Sequence, residues 1–225
     1  MHAEAQGAAL SRRGIKAISL REFMTPHLDQ LFERRPELLA CRDDISRTLQ
    51  ILETTFAQGG KLLLCGNGGS AADCEHIAGE LMKGFLLPRP IPDEHRNALG
   101  EMGAVLQGAL PAIALTAHSA LASAVINDTR GDMVFAQQVY GLGKPGDALL
   151  AISTSGNSPN VLHALRVARL RGVHTLGLTG QTGGRMVDAV DVCIRVPADT
   201  VVPIQELHLP VYHTLCAAIE SRFFE

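Results

Sequence analysis

Between positions 61 and 71 the chain reads Lys61-Leu62-Leu63-Leu64-Cys65-Gly66-Asn67-Gly68-Gly69-Ser70-Ala71. An apolar run of strand length passes directly into three glycines and a serine, and a helical pattern follows from about Ala71. A strand that is apolar at every position, not every second one, is buried on both faces. Four more runs of this kind occur at Ala112–Thr116, Ala148–Ser153, Thr175–Thr179 and Val192–Val196. Amphipathic stretches lie between most of them, as at 158–171 with Leu162, Leu165, Val167 and Ala168. The alternation predicts an α/β fold, a parallel five-stranded sheet flanked by helices. Such sheets bind ligands beyond the carboxyl ends of their strands, so the loops there are where function is sought.

Upstream, residues 17–58 read as N-terminal helices: Phe23, Leu28, Leu31 and Phe32, then Leu49, Ile51, Leu52 and Phe56, recur near helical spacing. Gly59-Gly60 stops the second of them. The chain thus divides into a helical arm, 1–58, and a sheet domain, 59–225. Residues 1–15 are small, polar and basic and are expected to carry little fixed structure. Residues 86–110, with Pro88, Pro90 and Pro92, interrupt the alternation as an insertion, and Asp93–Leu106 reads as a short helix within it. A terminal helix is expected at 204–223, with Pro210 placed to kink it.

Lys+Arg 20 against Asp+Glu 23 leaves a net charge of −3, so no bulk positive field exists to grip nucleic acid. Aromatics are 4% and Trp is absent, which disfavours base-stacking surfaces. No apolar run is long enough to span a bilayer, and Arg12, Arg13, Lys16 and Arg21 interrupt the apolar core that a signal peptide needs. Cys41, Cys65, Cys74, Cys193 and Cys216 form no CxxC pair, and an odd count without an export signal reads as reduced thiols in a cytoplasm.

Two loops are built for an anion. Gly66, Gly68 and Gly69 allow a tight turn and close approach of backbone N–H groups, and Ser70 is placed to cap the following helix. The second loop is Ser153-Thr154-Ser155-Gly156-Asn157-Ser158 before Pro159. Ser158 suits an N-cap and Pro159 the first helical position, which leaves the other hydroxyls free to cradle a phosphate at a helix N-terminus. A bare strand-to-helix turn is the bland alternative for each. A dinucleotide site is the sharper one, since Gly66, Gly68 and Ala71 fit G-x-G-x-x-G/A. It lacks the acid expected after the second strand, which ends at Thr116-Ala117-His118-Ser119.

Taken in order, Gly66-Asn67-Gly68-Gly69-Ser70 and Ile152-Ser153-Thr154-Ser155-Gly156-Asn157-Ser158 resemble the sugar isomerase (SIS) domain family and, within it, the phosphoheptose (sedoheptulose 7-phosphate) isomerases. Asn127-Asp128, Leu178-Thr179-Gly180 and Ile204-Gln205-Glu206-Leu207-His208 extend the resemblance over most of 45–220. It implies a SIS-type, flavodoxin-like three-layer sandwich and an aldose–ketose isomerase of heptose biosynthesis. That enzyme would convert D-sedoheptulose 7-phosphate to D-glycero-D-manno-heptose 7-phosphate. It also implies a cytoplasmic homotetramer with active sites at subunit boundaries and one zinc ion (Zn2+) per subunit. By the same resemblance Ser153, Thr154, Ser155 and Ser158 hold the phosphate, while Asn67, Gly68, Gly69, Ser70, Asn127 and Asp128 hold sugar hydroxyls. Glu80 and Gln205 also contact substrate, and His76, Glu80, Gln205 and His213 form the zinc set. Three departures stand out: Lys83-Gly84-Phe85 where Gly-Arg-aromatic is common, Val202 where an Asp is usual, and the longer insertion at 86–110.

His76 and Glu80 lie four apart, on one face of a helix that starts in the anion-binding loop. Spacing alone does not join Gln205 to His213, eight residues and about 12 Å of helical rise apart, and helical neighbourhood would favour His208. Isomerisation needs a base for a carbon-bound proton and a group that handles charge on oxygen. Glu80 is the candidate base, and His213 the candidate acid or a zinc ligand. A non-catalytic SIS protein that binds a partner such as a replication initiator is the rival, as is an isomerase of another seven- or eight-carbon sugar phosphate.

Overall fold

Five parallel strands form one sheet in the order β2-β1-β3-β4-β5. They are β1 (Leu62–Gly66), β2 (Ala112–Ala114), β3 (Ala148–Ile152), β4 (His174–Thr179) and β5 (Val192–Arg195) in a computed structural model that describes residues 20–225. Each expected strand is present within one or two residues of its place. The stretch 1–15, expected to carry little fixed structure, lies outside the described residues.

Every residue of β1 and β3 is buried, which is why both read as unbroken apolar runs. Successive side chains point to opposite faces. Leu62, Leu64, Ala148, Leu150 and Ile152 join one core cluster, while Leu63, Cys65, Leu149 and Ala151 join the other. Helices α1 (Leu20–Arg34), α2 (Arg42–Ala57), α3 (Gly69–Met82) and α9 (Val201–Phe224) cover the first face. Helices α6 (Ser119–Asp128), α7 (Val134–Leu142) and α8 (Pro159–Leu170) cover the second. The N-terminal helices share the sheet's own core: Ile45, Leu49, Leu52 and Phe56 of α2 pack in the first cluster.

The expected helix over Asp93–Leu106 is two short ones, α4 (Asp93–Leu99) and α5 (Glu101–Val105). Gly100, at φ 56° and ψ −128°, turns the chain between them. A Cβ on Gly103 would lie 2.5 Å from Arg96 O, so the two pack closely. The neck of this excursion is closed by the Pro90–Gln107 bridge and by Gly108 N–H donating to Arg89 O at 2.6 Å.

Helix α9 starts at Val201, three residues earlier than expected, and runs through Pro210 to Phe224. Pro203 sits in its first turn, where N–H groups have no intrahelical acceptor anyway. Pro210 removes one internal bond, yet burial of Ile204, Leu207, Val211, Leu215 and Ile219 holds the helix on the sheet.

Leu150, 1% exposed at the centre of β3, packs in the first cluster. Leu150→Ala is expected to lower unfolding stability by about 3 kcal/mol, read as a lower urea midpoint with an unchanged m-value.

Candidate active site

The strand order reverses between β1 and β3: the chain leaves β1 toward α3 on one face and β3 toward α8 on the other. The loops after these two strands therefore diverge and leave a crevice at the carboxyl edge of the sheet. Both candidate anion loops are these loops. Asn67 and Asn160 close the gap with reciprocal amide bonds of 3.0 and 2.8 Å. Asn160, in the first turn of α8, carried no signal beyond its place after Pro159.

In the serine-rich loop Ser153 Oγ and Ser158 Oγ are 3.1 Å apart, so the two hydroxyls share one side of the turn. Ser158 occupies the N-cap position as expected, but its hydroxyl makes no capping bond. Thr154 O accepts from Gly180 N–H, and Asn157 Oδ1 accepts from Arg185 N–H, which seats the loop on the turn after β4. Gly156, at φ 63°, lies where a Cβ would come within 1.9 Å of Gly183 O, so only glycine fits. The first loop differs from expectation. Gly68 is the N-cap, at φ 57° and ψ −122°, and α3 begins at Gly69. Ser70 is inside the first turn and buried, so it does not cap the helix.

Helices α3 and α9 run side by side, and this brings a second cluster together. His76 Nε2 lies 3.2 Å from Glu80 Oε1 and 3.4 Å from His213 Nε2. Lys83 Nζ donates to Glu80 Oε2 at 3.0 Å. The Tyr212 hydroxyl spends its proton on Asp73 Oδ1 at 3.2 Å, so the 3.1 Å contact with His76 Nδ1 requires that nitrogen to donate. In the neutral ring His76 Nε2 then carries a lone pair, aimed at Glu80 and His213. Burial holds the His213 pKa below the ordinary histidine value, with His76 adding to the effect and Glu80 opposing it. Tyr212 was missed from sequence, where its only mark is adjacency to His213. The Phe85 ring tilts against His213 at 5.5 Å between centroids. A cavity of about 370 Å³ opens beside His213, lined also by His27, Arg34, Arg35 and Leu86, a size that suits a small ligand.

The remaining candidates lie elsewhere. Gln205 is inside α9, not before it, and its amide rests on Gly69, where a Cβ would be 2.3 Å from Nε2. It is two helical turns from His213. Asn127 and Asp128 are exposed, bond to each other at 2.7 Å and end α6 on the opposite face of the sheet from α3 and α9. His208 is fully buried with no hydrogen bond on either ring nitrogen, so it is bonded to none of the candidate ligands. Burial lowers its pKa to about 4, only partly offset by the backbone of Thr179. Burial pushes the Cys216 thiol up to about 12 and raises that of Cys74 as well, which keeps both protonated. Among the described residues no three His, Cys, Asp or Glu side chains are already drawn around one metal position. No helix among them is long and apolar enough to cross a membrane.

Residues 37–180 match the SIS domain family model. A phosphoheptose isomerase of Roseiflexus sp. (strain RS-1) is 46% identical over 171 residues, which is 76% of this chain and 78% of that protein. The structure of phosphoheptose isomerase from Neisseria gonorrhoeae superposes with a TM-score of 0.70 at 32% identity, over 90% of this chain and all of that one. That from Francisella tularensis gives 0.72 at 30% identity, over 91% of this chain and all of that one.

The His208 ring titrates near 4 in the fold and near 6.5 when exposed, so the unfolded chain holds the extra proton between those values. The neutral buried ring thus favours folding above about pH 6.5, and that support is lost as pH falls toward 4. Going from about pH 7 to about pH 4.5, this group costs roughly 2–3 kcal/mol of stability. His208→Leu is expected to flatten the acid side of the stability profile by that amount, measured by urea unfolding at each pH.

Proposed function

We propose, for a chain that belongs to the phosphoheptose isomerase family of SIS-domain proteins, that it interconverts D-sedoheptulose 7-phosphate and D-glycero-D-manno-heptose 7-phosphate. Family membership makes it an aldose–ketose isomerase. The carrying observation for the finer reading is Glu80, a largely covered carboxylate with His76 on one oxygen, Lys83 on the other and His213 beside them.

In this reading Ser153, Thr154, Ser155 and Ser158 hold the phosphate against the N-terminus of α8, where hydroxyl donors and the helix dipole favour an anion. Glu80 takes a proton from C1 of the ketose and returns it to C2, with an enediolate between. His213 either moves the proton that passes between the two oxygens or serves as a zinc ligand, the two roles excluding each other at one nitrogen. Lys83, donating to Glu80 Oε2, offsets negative charge around Glu80.

Zinc, one per subunit, is part of the proposal. Imidazole nitrogen, carboxylate oxygen and imidazole nitrogen are donors that zinc takes. The 3.2 and 3.4 Å separations are near the spacing of roughly 3.3 Å between tetrahedral ligands with bonds of about 2.0–2.1 Å. His76, Glu80 and His213 would hold it, with the Tyr212–Asp73 chain orienting His76. When bound it would polarise the substrate's carbonyl oxygen. Gln205 stands two turns away along α9, beyond reach of these three within its own protomer.

The proposal includes a homotetramer, and the spacing of the candidate residues supports sites shared between two copies. Glu80 lies eleven residues, about 16 Å, along α3 from the first loop. A seven-carbon sugar phosphate with carbon–carbon bonds of about 1.5 Å spans only roughly 10 Å. Asn127 and Asp128 lie on the other layer altogether. A second copy facing the first would complete the set.

Glu80→Gln is expected to lower kcat by about 10³-fold and His213→Asn by about 10²-fold in a heptose 7-phosphate assay, with the thermal midpoint unchanged. Normal turnover in Glu80→Gln would remove the base from its role. Seven- and eight-carbon ketose phosphates compared side by side test the sugar, since Val202 and the insertion 86–110 are the departures from the resembled sequence pattern that would bear on it. Metal analysis of the purified protein is expected to find one zinc per chain, lost in His76→Ala.

A further inference from the structure

Arg89 and Glu220 form an ion pair in which both side chains are 0% exposed, and none of the chemistry above uses it. Arg89 Nε donates to Glu220 Oε1 at 2.6 Å, Nη1 to Leu81 O at 2.8 Å and Nη2 to Glu80 O at 3.0 Å. Its guanidinium lies over the Phe224 ring, 4.6 Å from the centroid. Glu220 also accepts the N–H groups of Phe85, Leu86 and Leu87 at 2.8, 2.7 and 3.2 Å. The last carbonyls of a helix have no partner within it. Here the Arg89 fork takes two of them, and they belong to Glu80 and its neighbour. One buried pair thus joins the end of α3, the segment 83–87 and the last turns of α9.

Stability by itself does not account for this choice. Well-packed apolar side chains in place of a buried ion pair are often as stable or more so. What an apolar pair lacks is direction: a planar fork with fixed donors and a carboxylate with four acceptor positions define where their partners sit. Those partners carry the residues around the proton-transfer cluster. Arg89 holds the backbone of Glu80. Glu220 holds the segment in which Lys83 touches Glu80 Oε2 and Phe85 rests against His213.

We infer that Arg89 and Glu220 are positioning residues of the isomerase site, fixing the place of Glu80, Lys83 and Phe85 relative to His213 from below the reacting groups. The inference rests on the assignment of Glu80 and His213 to proton transfer. A misplacement of about 1 Å costs about 10²-fold in rate where reacting groups must be aligned. Loss of the pair therefore shows in kcat, while the phosphate loop, on a different pair of elements, keeps KM.

The test compares Glu220→Gln, Arg89→Lys and the double apolar variant Arg89→Met/Glu220→Leu with the unaltered protein. Each is assayed at a temperature where circular dichroism shows it folded. The expected result is a kcat lower by tenfold or more with KM within about twofold, and faster hydrogen exchange at the Phe85, Leu86 and Leu87 amides. Folded variants with unaltered kcat would overturn the positioning role and leave a purely structural pair. If the double variant does not fold, Glu220→Gln and Arg89→Lys carry the test alone. Glu80→Gln is the control that separates the two failures. Its inactivity, with normal kcat in Glu220→Gln, defeats only the positioning role; its activity defeats the proton-transfer assignment and this inference with it.

Discussion

The lateral packing of α3 against α9 is the contact on which the site depends. The two helices run in the same direction on one face of the sheet and meet at three levels. Gln205 lies on Gly69, Tyr212 reaches Asp73 and His76, and His213 meets His76. The intervals match: seven residues from Gly69 to His76 and eight from Gln205 to His213 are both about two turns. At the first level Gly69, lacking a side chain, leaves room for the Gln205 amide to lie against α3. With the helices in this register, a carboxylate one turn beyond His76 falls next to His213 without further adjustment.

The sheet positions the two candidate anion loops by a different route. Parallel strands put every carboxyl end on one edge, and the reversal of order between β1 and β3 opens that edge where the two loops diverge. The serine-rich loop is then held from beneath by the turn after β4, through Thr154, Asn157 and the close approach of Gly156 to Gly183. Its hydroxyls need not serve the helix as caps and are free to face an anion. The serine-rich loop leads into α8 on the second layer, while His76, Glu80 and His213 lie on α3 and α9 of the first.

Burial sorts the titratable groups by role. His208, deep in α9 and unpartnered, stays neutral and contributes volume, and the buried cysteines stay protonated for the same reason. Lys61 and Asp147 are largely covered but paired, bracing the entrances of β1 and β3. Arg89 and Glu220 are fully covered and paired, and burial, which raises the Glu220 pKa, is outweighed by the Phe85 and Leu86 amides and by Arg89. The groups proposed for catalysis are instead partly open: His76 and Lys83 are well exposed and Glu80 retains a small window to solvent.

Sequence periodicity determined the five strands and the helices between them, because a strand covered on both faces must be apolar throughout and a covering helix must be apolar on one side. It also marked both anion loops, since glycine and serine at a strand-to-helix turn leave a composition that core packing does not require. It misjudged features set by neighbours. Gly100 divides the insertion helix, and Ser70 is taken into α3 instead of capping it. Tyr212, Asn160, Arg89 and Glu220 had no pattern to betray them, for each acts on a partner far along the chain. Local composition records what one segment must bury; which side chains meet across two helices is decided by their register, and that exists only once both have settled on the same sheet.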